Sequence, residues 1–237
     1  MKKEVTDLRR FWAILLCFSL VCLPVKATDK EKLVALTFDD GPSGRFTRRL
    51  LEGLAQRNAK ATFFLCGYRL EQYPKLAQQI AAAGHEIGVH GYSHKSMCTM
   101  TPGALSKEIQ DTLPLMPTTN IVFLRPPGGL CDDRVKDGAK AFGMAILQWS
   151  VDPQDWACDD AKEIAQRVLR RVQDGDVILL HDLSDSSVDA ALMIVDGLHK
   201  KGFRFVTASE LTRVRNYTPS PGVVYKHFHR RDSEENK

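Results

Sequence analysis

The chain has 237 residues, 43% hydrophobic and 26% charged, which is ordinary for a globular protein and sufficient for one large domain or two small ones. Residues 1–27 carry +3 of the formal net charge of +4, so the remainder is close to neutral. A near-neutral domain lacks the basic patch of nucleic-acid-binding proteins, which excludes that class and favours uncharged partners.

Residues 1–27 are predicted to be a signal peptide. Four basic residues precede an apolar run from Phe11 to Leu23, and Val25-Lys26-Ala27 offers small residues for cleavage. The run is short for a membrane span and matches the apolar core of a signal peptide. An uncleaved amino-terminal anchor is the alternative, and it is the only membrane attachment that we expect. Either way, we expect a secreted or otherwise extracytoplasmic protein.

From residue 33 onwards, short apolar runs alternate with segments of helical spacing. The predicted strands are 33–38, 61–66, 86–90, 121–125, 144–150, 176–181 and 203–207, and the predicted helices are 46–58, 74–83, 132–142, 160–173 and 187–201. The strands are almost continuously apolar, as expected when helices cover both faces of a sheet. Their spacing leaves room for a helical crossover each time, which indicates parallel pairing.

Seven such units predict an α/β fold, either a distorted (β/α)7 barrel or an open doubly wound sheet. No repeat or linker divides residues 28–215, so we expect a single catalytic domain there. Residues 216–237 hold His227 and His229 outside the repeating pattern and are predicted to be a loose, solvated tail.

Side chains that can carry chemistry follow five of the predicted strands. They are Asp39-Asp40 after the first strand, His90 and then His94 after the third, Arg125 at the fourth, Asp155-Trp156 after the fifth and His181 at the sixth. The active site of a parallel β/α fold lies beyond the carboxyl ends of its strands. One histidine at a strand end is more often structural, but titratable groups at five strand ends indicate a shared site.

Two histidines separated by three residues, joined by a carboxylate, can hold one metal ion. Asp40, His90 and His94 would provide three ligands and leave positions open for water and substrate, as in catalytic metal sites. Zinc is expected by default, and cobalt or nickel could replace it because these ligands do not exclude them.

The remaining groups suit acid–base catalysis. Asp39 is the candidate base, and Arg125 would keep it ionised and oriented because an opposite charge favours the carboxylate form. His181, as an imidazolium supported by Asp155, is the candidate proton donor to a leaving group.

Together these segments resemble the five motifs of the polysaccharide deacetylase family, carbohydrate esterase family 4, over roughly residues 33–210. The matching segments are Thr37-Phe38-Asp39-Asp40-Gly41-Pro42, His90 with His94, Arg125-Pro126-Pro127, Asp155-Trp156, and Leu179-Leu180-His181. Gly91 stands where the family usually has Ser or Thr, so the loop-stabilising hydroxyl is missing or comes from Ser93. Gly128 replaces a frequent aromatic residue, and its N–H could still serve an oxyanion.

The resemblance implies a distorted (β/α)7 barrel that hydrolyses N-acetyl groups of a glycan containing N-acetylglucosamine, such as peptidoglycan or a chitin-like chain. It places Asp39 as base, Asp40 as a metal ligand, and Gly128, Trp156 and Leu179 on the substrate or oxyanion side. The alternatives are an O-acetyl esterase on xylan and a glycan-binding relative without turnover. We expect an acetylated glycan as partner, no nucleic acid, and a monomer.

Four cysteines follow residue 27, namely Cys66, Cys98, Cys131 and Cys158. None forms a Cys-x-x-Cys unit, which argues against a thiolate zinc site. Cys66 closes an apolar run and is predicted to be a buried thiol. The other three follow strands on the catalytic side, and two of them are predicted to form a disulfide after export.

Overall fold

The computed structural model describes residues 31–230, so the predicted signal peptide lies outside the described range. Each predicted strand is present, as β1 (Lys32–Asp39), β2 (Ala61–Leu65), β3 (Glu86–Val89), β4 (Phe123–Leu124), β5 (Ala145–Leu147), β6 (Val177–His181) and β7 (Phe203–Phe205). None of the helices between residues 31 and 230 has the length and apolar character needed to cross a bilayer.

Eight α-helices lie between and after these strands in the described residues. They are α1 (Gly44–Gln56), α2 (Gly67–Gln72), α3 (Pro74–Ala82), α4 (Pro102–Thr112), α5 (Asp133–Ala141), α6 (Ala161–Leu169), α7 (Asp185–Lys200) and α8 (Ala208–Val214). Helices α1, α3, α5, α6 and α7 correspond to the predicted helices, whereas α2, α4 and α8 were not predicted. Five of the eight begin at a Ser, Thr or Asp whose side chain accepts a backbone N–H of the first turn.

The strands form one sheet in the order β6-β1-β2-β3-β4-β5-β8, where β8 is Val224–Tyr225, and the paired strands run parallel. Strand β1 has two neighbours on one side, because Lys32–Val34 pair with β7 and Ala35–Asp39 pair with β6. The sheet forms a distorted half-barrel surrounded by helices. The predicted barrel class is therefore confirmed, and the open doubly wound alternative is wrong.

Alternation along the strands separates two apolar layers. On β1, Leu36 and Phe38 pack with the surrounding helices, whereas Leu33 and Ala35 belong to a second buried cluster with residues of β2, β4, β5 and β6. A strand has a side-chain period of two, so Asp39 lies on the same face as Leu33 and Ala35. The alternation that places Leu33 and Ala35 inside the barrel therefore also places the Asp39 side chain on the inner face, at the end of the strand.

The carboxyl-terminal segment is packed against the barrel up to residue 230. Strand β8 pairs with β5, Phe228 is fully buried, and His229 Nε2 lies 2.8 Å from Asp176 Oδ1. The prediction of a loose tail from residue 216 is therefore wrong for residues 216–230. A two-residue strand and one buried phenylalanine leave no periodic pattern in the sequence, which explains the error.

Candidate active site

The carboxyl ends of the strands surround one cavity of about 520 Å³. Its walls include nine of the ten predicted site residues: Asp39, Asp40, His90, His94, Gly128, Asp155, Trp156, Leu179 and His181. The tenth, Arg125, is 0% exposed and lies behind Asp39. Residues spread over more than 140 positions in sequence therefore share one site, as the strand-end argument predicts.

Asp39 is held by a buried guanidinium. Arg125 Nη1 donates to Asp39 Oδ1 at 2.7 Å and to Thr37 Oγ1 at 2.8 Å. The other nitrogens of Arg125 donate to the carbonyl oxygens of Leu147, at 2.7 Å, and Gln148, at 2.8 Å. Burial lowers the pKa of Arg125, but the Asp39 carboxylate acts in the opposite direction. The network fixes the orientation of Asp39 and offers it a compensating positive charge.

Asp40, His90 and His94 come together as the spacing predicts. Asp40 Oδ1 lies 3.2 Å from His90 Nε2 and 2.8 Å from His94 Nε2, and the three possible ligand atoms lie within 4.8 Å of one another. Burial opposes ionisation of Asp40, but the two imidazoles outweigh it and hold the pKa of this carboxyl well below its ordinary range. Asp40 in turn raises the pKa of His94, so protons and a metal would compete for that ring.

The protonation pattern fits a cation between these groups. His90 Nδ1 lies 2.7 Å from the Arg125 carbonyl oxygen, which can only accept a hydrogen bond, so Nδ1 carries the hydrogen. In the neutral ring, Nε2 then presents a lone pair toward Asp40 Oδ1, a buried oxygen that receives no well-aligned hydrogen bond although His94 Nε2 lies 2.8 Å away. One carboxylate and two imidazoles with ligand atoms this close together are a set that a divalent metal ion accepts.

His181 and Asp155 form a second charged pair at the cavity. Asp155 Oδ1 lies 2.8 Å from His181 Nδ1, and Asp155 Oδ2 accepts the His181 backbone N–H at 2.8 Å. Burial lowers the pKa of His181, but the hydrogen bond and charge of Asp155 outweigh it and raise the pKa to about 9. The ring is therefore protonated at neutral pH, with Nε2 left to serve the cavity.

Backbone conformations at the site are unusual. Asp40, His94 and Gln154 have φ values of +71°, +58° and +56°, a region that non-glycine residues rarely adopt. Gln154 directly precedes Asp155, so each of these residues is a site residue or its neighbour. Strained backbone of this kind concentrates at functional sites, where the surrounding structure holds it.

Sequence reasoning missed several residues of the site. Thr37 supports Arg125, and further cavity walls come from Trp149, Asp152, Asp159, Leu183, Ser184 and Ser187. Asp182 was visible beside His181 but received no role. It is fully buried and accepts the Thr47 hydroxyl, and burial raises its pKa to about 7. A Cβ on Gly41 would lie 2.6 Å from Asp182 Oδ1, which explains the glycine at that position.

The cysteine prediction is only partly correct. Cys66 is a buried thiol, and burial raises its pKa well above the ordinary range. Cys98, Cys131 and Cys158 are also free thiols, so the structure contradicts a disulfide between two of them.

The cavity thus brings together a carboxylate held by a guanidinium, an imidazole held by a carboxylate, and three potential metal ligands. A family model described as "Polysaccharide deacetylase" matches residues 26–147. The peptidoglycan-N-acetylglucosamine deacetylase of Bacillus cereus is 37% identical over 195 residues, which are 79% of this chain and 92% of that protein. The chain belongs to the polysaccharide deacetylase family, carbohydrate esterase family 4, whose members remove acetyl groups from glycans by hydrolysis.

Solved structures of relatives share the fold. The peptidoglycan deacetylase PdaC of Bacillus subtilis has a TM-score of 0.76 and 34% identity, covering 80% of this chain and 94% of that chain. This chain spans 42% of full-length PdaC. A family 4 acetyl xylan esterase from Clostridium thermocellum, in complex with a cobalt ion, has a TM-score of 0.77 and 32% identity, covering 83% of this chain and 98% of that chain.

Proposed function

We propose that this chain is an exported, metal-dependent deacetylase that hydrolyses N-acetyl groups of N-acetylglucosamine-containing glycan, peptidoglycan or chitin-like, to free amine and acetate. The observation that carries the proposal is the placement of two proton-transfer groups in one cavity, each held by an oppositely charged partner. Asp39, fixed by Arg125, lies on one side of the Asp40–His90–His94 set, and His181, fixed by Asp155, also lines the cavity.

Asp39 is the base of the proposed reaction. Its Oδ1 is occupied by Arg125, so Oδ2, 3.7 Å from His90 Nε2, is the oxygen available to take a proton from the attacking water. The hydrogen bond from Arg125 holds the carboxylate in one orientation before and during attack. A positioned base of this kind contributes about 10²–10⁴-fold to the rate.

Asp40, His90 and His94 would hold one divalent ion, zinc by default, with cobalt or nickel as possible substitutes. When bound, such an ion supplies Lewis-acid polarisation of the acetyl carbonyl and lowers the pKa of a water molecule. The Arg125 carbonyl orients the His90 ring for this role by accepting its Nδ1 hydrogen.

His181 is the acid that completes the reaction. An amine leaves poorly as an anion, so cleavage of the C–N bond requires a proton at nitrogen. With its pKa raised to about 9, His181 still carries that proton at neutral pH. Asp155 accepts the Nδ1 hydrogen, which leaves Nε2–H to donate to the departing sugar amine.

The rest of the cavity suits an acetylated sugar. Trp156 is 68% exposed and lines the cavity together with Leu179, which gives the acetyl group and the sugar ring apolar surface. Gly128 has φ +67°, and a Cβ there would meet no atom within 4 Å, so its backbone is open to the cavity. We assign its N–H to the developing oxyanion.

An O-acetyl esterase acting on xylan is the second candidate, supported by the likeness to the Clostridium thermocellum esterase. A silent glycan-binding relative is the third, and it is disfavoured because every catalytic position is filled.

The test is product analysis on peptidoglycan, chitooligosaccharides and acetylxylan side by side, with zinc added to metal-stripped protein. Acetate with equimolar free amine from the first two supports the proposal. Acetate from acetylxylan alone supports the esterase, and no acetate from any substrate supports the silent relative.

Export is proposed from residues 1–27 and from the extracellular nature of such glycans. Amino-terminal sequencing of protein recovered from the cell envelope or medium tests it. A chain that begins after residue 27 is expected, whereas full-length chain confined to the cytoplasm would contradict export.

A further inference from the structure

The loop from His90 to His94 carries two of the three proposed metal ligands, and its second half is the exposed one. The His94 side chain is 41% exposed, whereas the His90 side chain is 2% exposed. His94 also has φ +58°, a conformation that is uncommon for a residue other than glycine. Contacts outside the loop that fix its backbone would favour this conformation.

That contact is the carboxylate of Glu108, on helix α4. Glu108 Oε2 accepts the backbone N–H of Tyr92 at 2.7 Å and of Ser93 at 2.8 Å. Glu108 Oε1 accepts the Ser93 hydroxyl at 2.6 Å. Three hydrogen bonds to one ionised group are strong and directional, and they end at the residue before His94. Helix α4 is itself anchored, because Leu105, Ile109 and Thr112 are buried.

The opposite side of the loop is held by the start of helix α2. Gly67 N–H donates to the Gly91 carbonyl at 2.9 Å, and Tyr68 N–H donates to the Tyr92 carbonyl at 3.1 Å. The N–H groups of the loop thus bind Glu108, and its carbonyls bind α2. The α2 contacts depend on close approach, since a Cβ on Gly67 would lie 2.3 Å from the Tyr92 ring. The hydrogen bonds from α2 end at Tyr92, whereas Glu108 also binds Ser93.

With Glu108 bound to the loop in this way, position 91 has no room for the Ser or Thr that the family usually has there. Gly91 has φ +74°, and a Cβ there would lie 3.0 Å from Met97 Cε and 3.2 Å from Glu108 Oε2. A Ser or Thr would be strained and would crowd the carboxylate. The Ser93 hydroxyl is present, but it acts through Glu108 and supplies one of three bonds.

We infer that Glu108 is a positioning residue that replaces the missing hydroxyl and presets His94 for metal binding before the metal arrives. The inference rests on the proposed metal-dependent function. Glu108 touches neither metal nor substrate, and its effect passes through the backbone of Tyr92 and Ser93. Residues that orient metal ligands in this way typically contribute about 10- to 100-fold to metal affinity.

The experiment uses the metal-stripped protein and two readouts. Zinc dissociation constants come from competition with a chelator, and amide hydrogen exchange reports on Tyr92 and Ser93 without metal. Glu108→Ala should weaken zinc binding about 10- to 100-fold and speed exchange at both amides. Glu108→Gln keeps an oxygen for the two N–H groups and an NH₂ for the Ser93 hydroxyl, so it should recover most of the affinity. Ser93→Ala removes one bond and should have the smaller loss.

Lys107→Ala is the matched control, because Lys107 is exposed on the same helix and pairs with Asp111. It should leave both readouts unchanged, and thermal unfolding of each metal-free variant reports on the fold. Unchanged exchange at Tyr92 and Ser93 in Glu108→Ala would overturn the inference, as would zinc affinity equal to that of Lys107→Ala. If wild-type protein binds no zinc, the proposed metal function fails, but the exchange readout still decides whether Glu108 holds the loop.

Discussion

Buried carboxylates occur at both ends of the barrel, but their hydrogen bonding differs between the two ends. At the amino-terminal end, Asp176 accepts the Ser150 hydroxyl at 2.9 Å and the Gln173 N–H at 2.6 Å, and lies 2.8 Å from His229. Glu86 likewise accepts the Thr62 hydroxyl and both polar groups of Ser209. These carboxylates bind strands, a helix start and the carboxyl-terminal segment together, so they stabilise the fold.

At the carboxyl end, two carboxylates each have one oxygen without a hydrogen bond. Within residues 31–230, the buried carboxylate oxygens without a hydrogen-bond partner are Asp40 Oδ1 and Asp182 Oδ1, and both lie at this end. Buried polar groups are nearly always hydrogen-bonded, so an exception requires an explanation. For Asp40, a bound cation would provide it. The comparison separates carboxylates that hold the structure together from those kept available for a ligand.

The comparison predicts that substitutions at the carboxyl end change the reaction and that those at the amino-terminal end change stability. The largest effect is expected for Asp39→Asn, because attack by water requires the base whatever group departs. Turnover of both an N-acetylated glycan and an activated aryl acetate should fall about 10²–10⁴-fold. Steady-state rates on the two substrates measure this, with circular dichroism to confirm the fold. Wild-type rates on either substrate would remove Asp39 from the base role.

His181→Ala should affect only one of those substrates. Amide hydrolysis should fall about 10²–10⁴-fold, because the departing amine needs a proton. An aryl acetate leaves without one, so much of that activity should remain. The same two assays measure it. Equal losses on both substrates for His181→Ala and Asp39→Asn would defeat the division of the two residues into acid and base.

Asp155→Asn should move the pH profile. The pKa of His181 is raised to about 9, so the imidazolium is present below that pH and is lost as the pH rises through it. Without the Asp155 hydrogen bond and charge, burial is opposed only by the charges of Asp39 and Asp40, so the pKa of His181 should fall. The alkaline limb of kcat should therefore shift down by about one to three pH units. A bound cation would displace the limb in both proteins, so the difference between them is the quantity to measure. An unchanged limb would contradict the pairing.

The smallest effect on the reaction is expected for Phe228→Ala, at a ring that does not line the cavity. Loss of this fully buried ring should cost about 3–5 kcal/mol of unfolding free energy, while kcat per folded molecule stays within about twofold. Denaturant titration measures the first quantity. Val223→Ala, at a side chain 45% exposed, is the control and should cost about 0.5 kcal/mol or less. A large loss of kcat in Phe228→Ala would contradict the assignment of stability to the amino-terminal end and of the reaction to the carboxyl end.

The sequence predicts the catalytic end well because its signals are local. Seven apolar runs locate the strands, and a polar residue directly after a strand of a parallel barrel must lie at the active-site end. Asp39, His90, Arg125 and His181 were all found in this way. Their chemistry follows from residue type, so the pairing of Arg125 with Asp39 and of Asp155 with His181 could also be predicted.

What the sequence did not predict depends on contacts between distant segments. Glu108 lies on helix α4, 15 residues from Ser93, and nothing in its neighbourhood distinguishes it from a solvated helix residue. The packing of Phe228 beneath Tyr217 and Tyr225 requires the barrel to exist first. Strand β8 has two residues, too few for any periodic pattern. In each case, tertiary packing decides the role.

The most direct test of the central claim is zinc-dependent product release by metal-stripped protein. Acetate and free amine are measured on an N-acetylated glycan as zinc is added, for wild type and for the His90→Ala, His94→Ala double variant. The account predicts equimolar acetate and amine from wild type, rising to a plateau near one zinc per chain. The double variant should show neither stoichiometric metal nor activity. Full release by the metal-stripped wild type, or undiminished stoichiometric metal in the double variant, would contradict it.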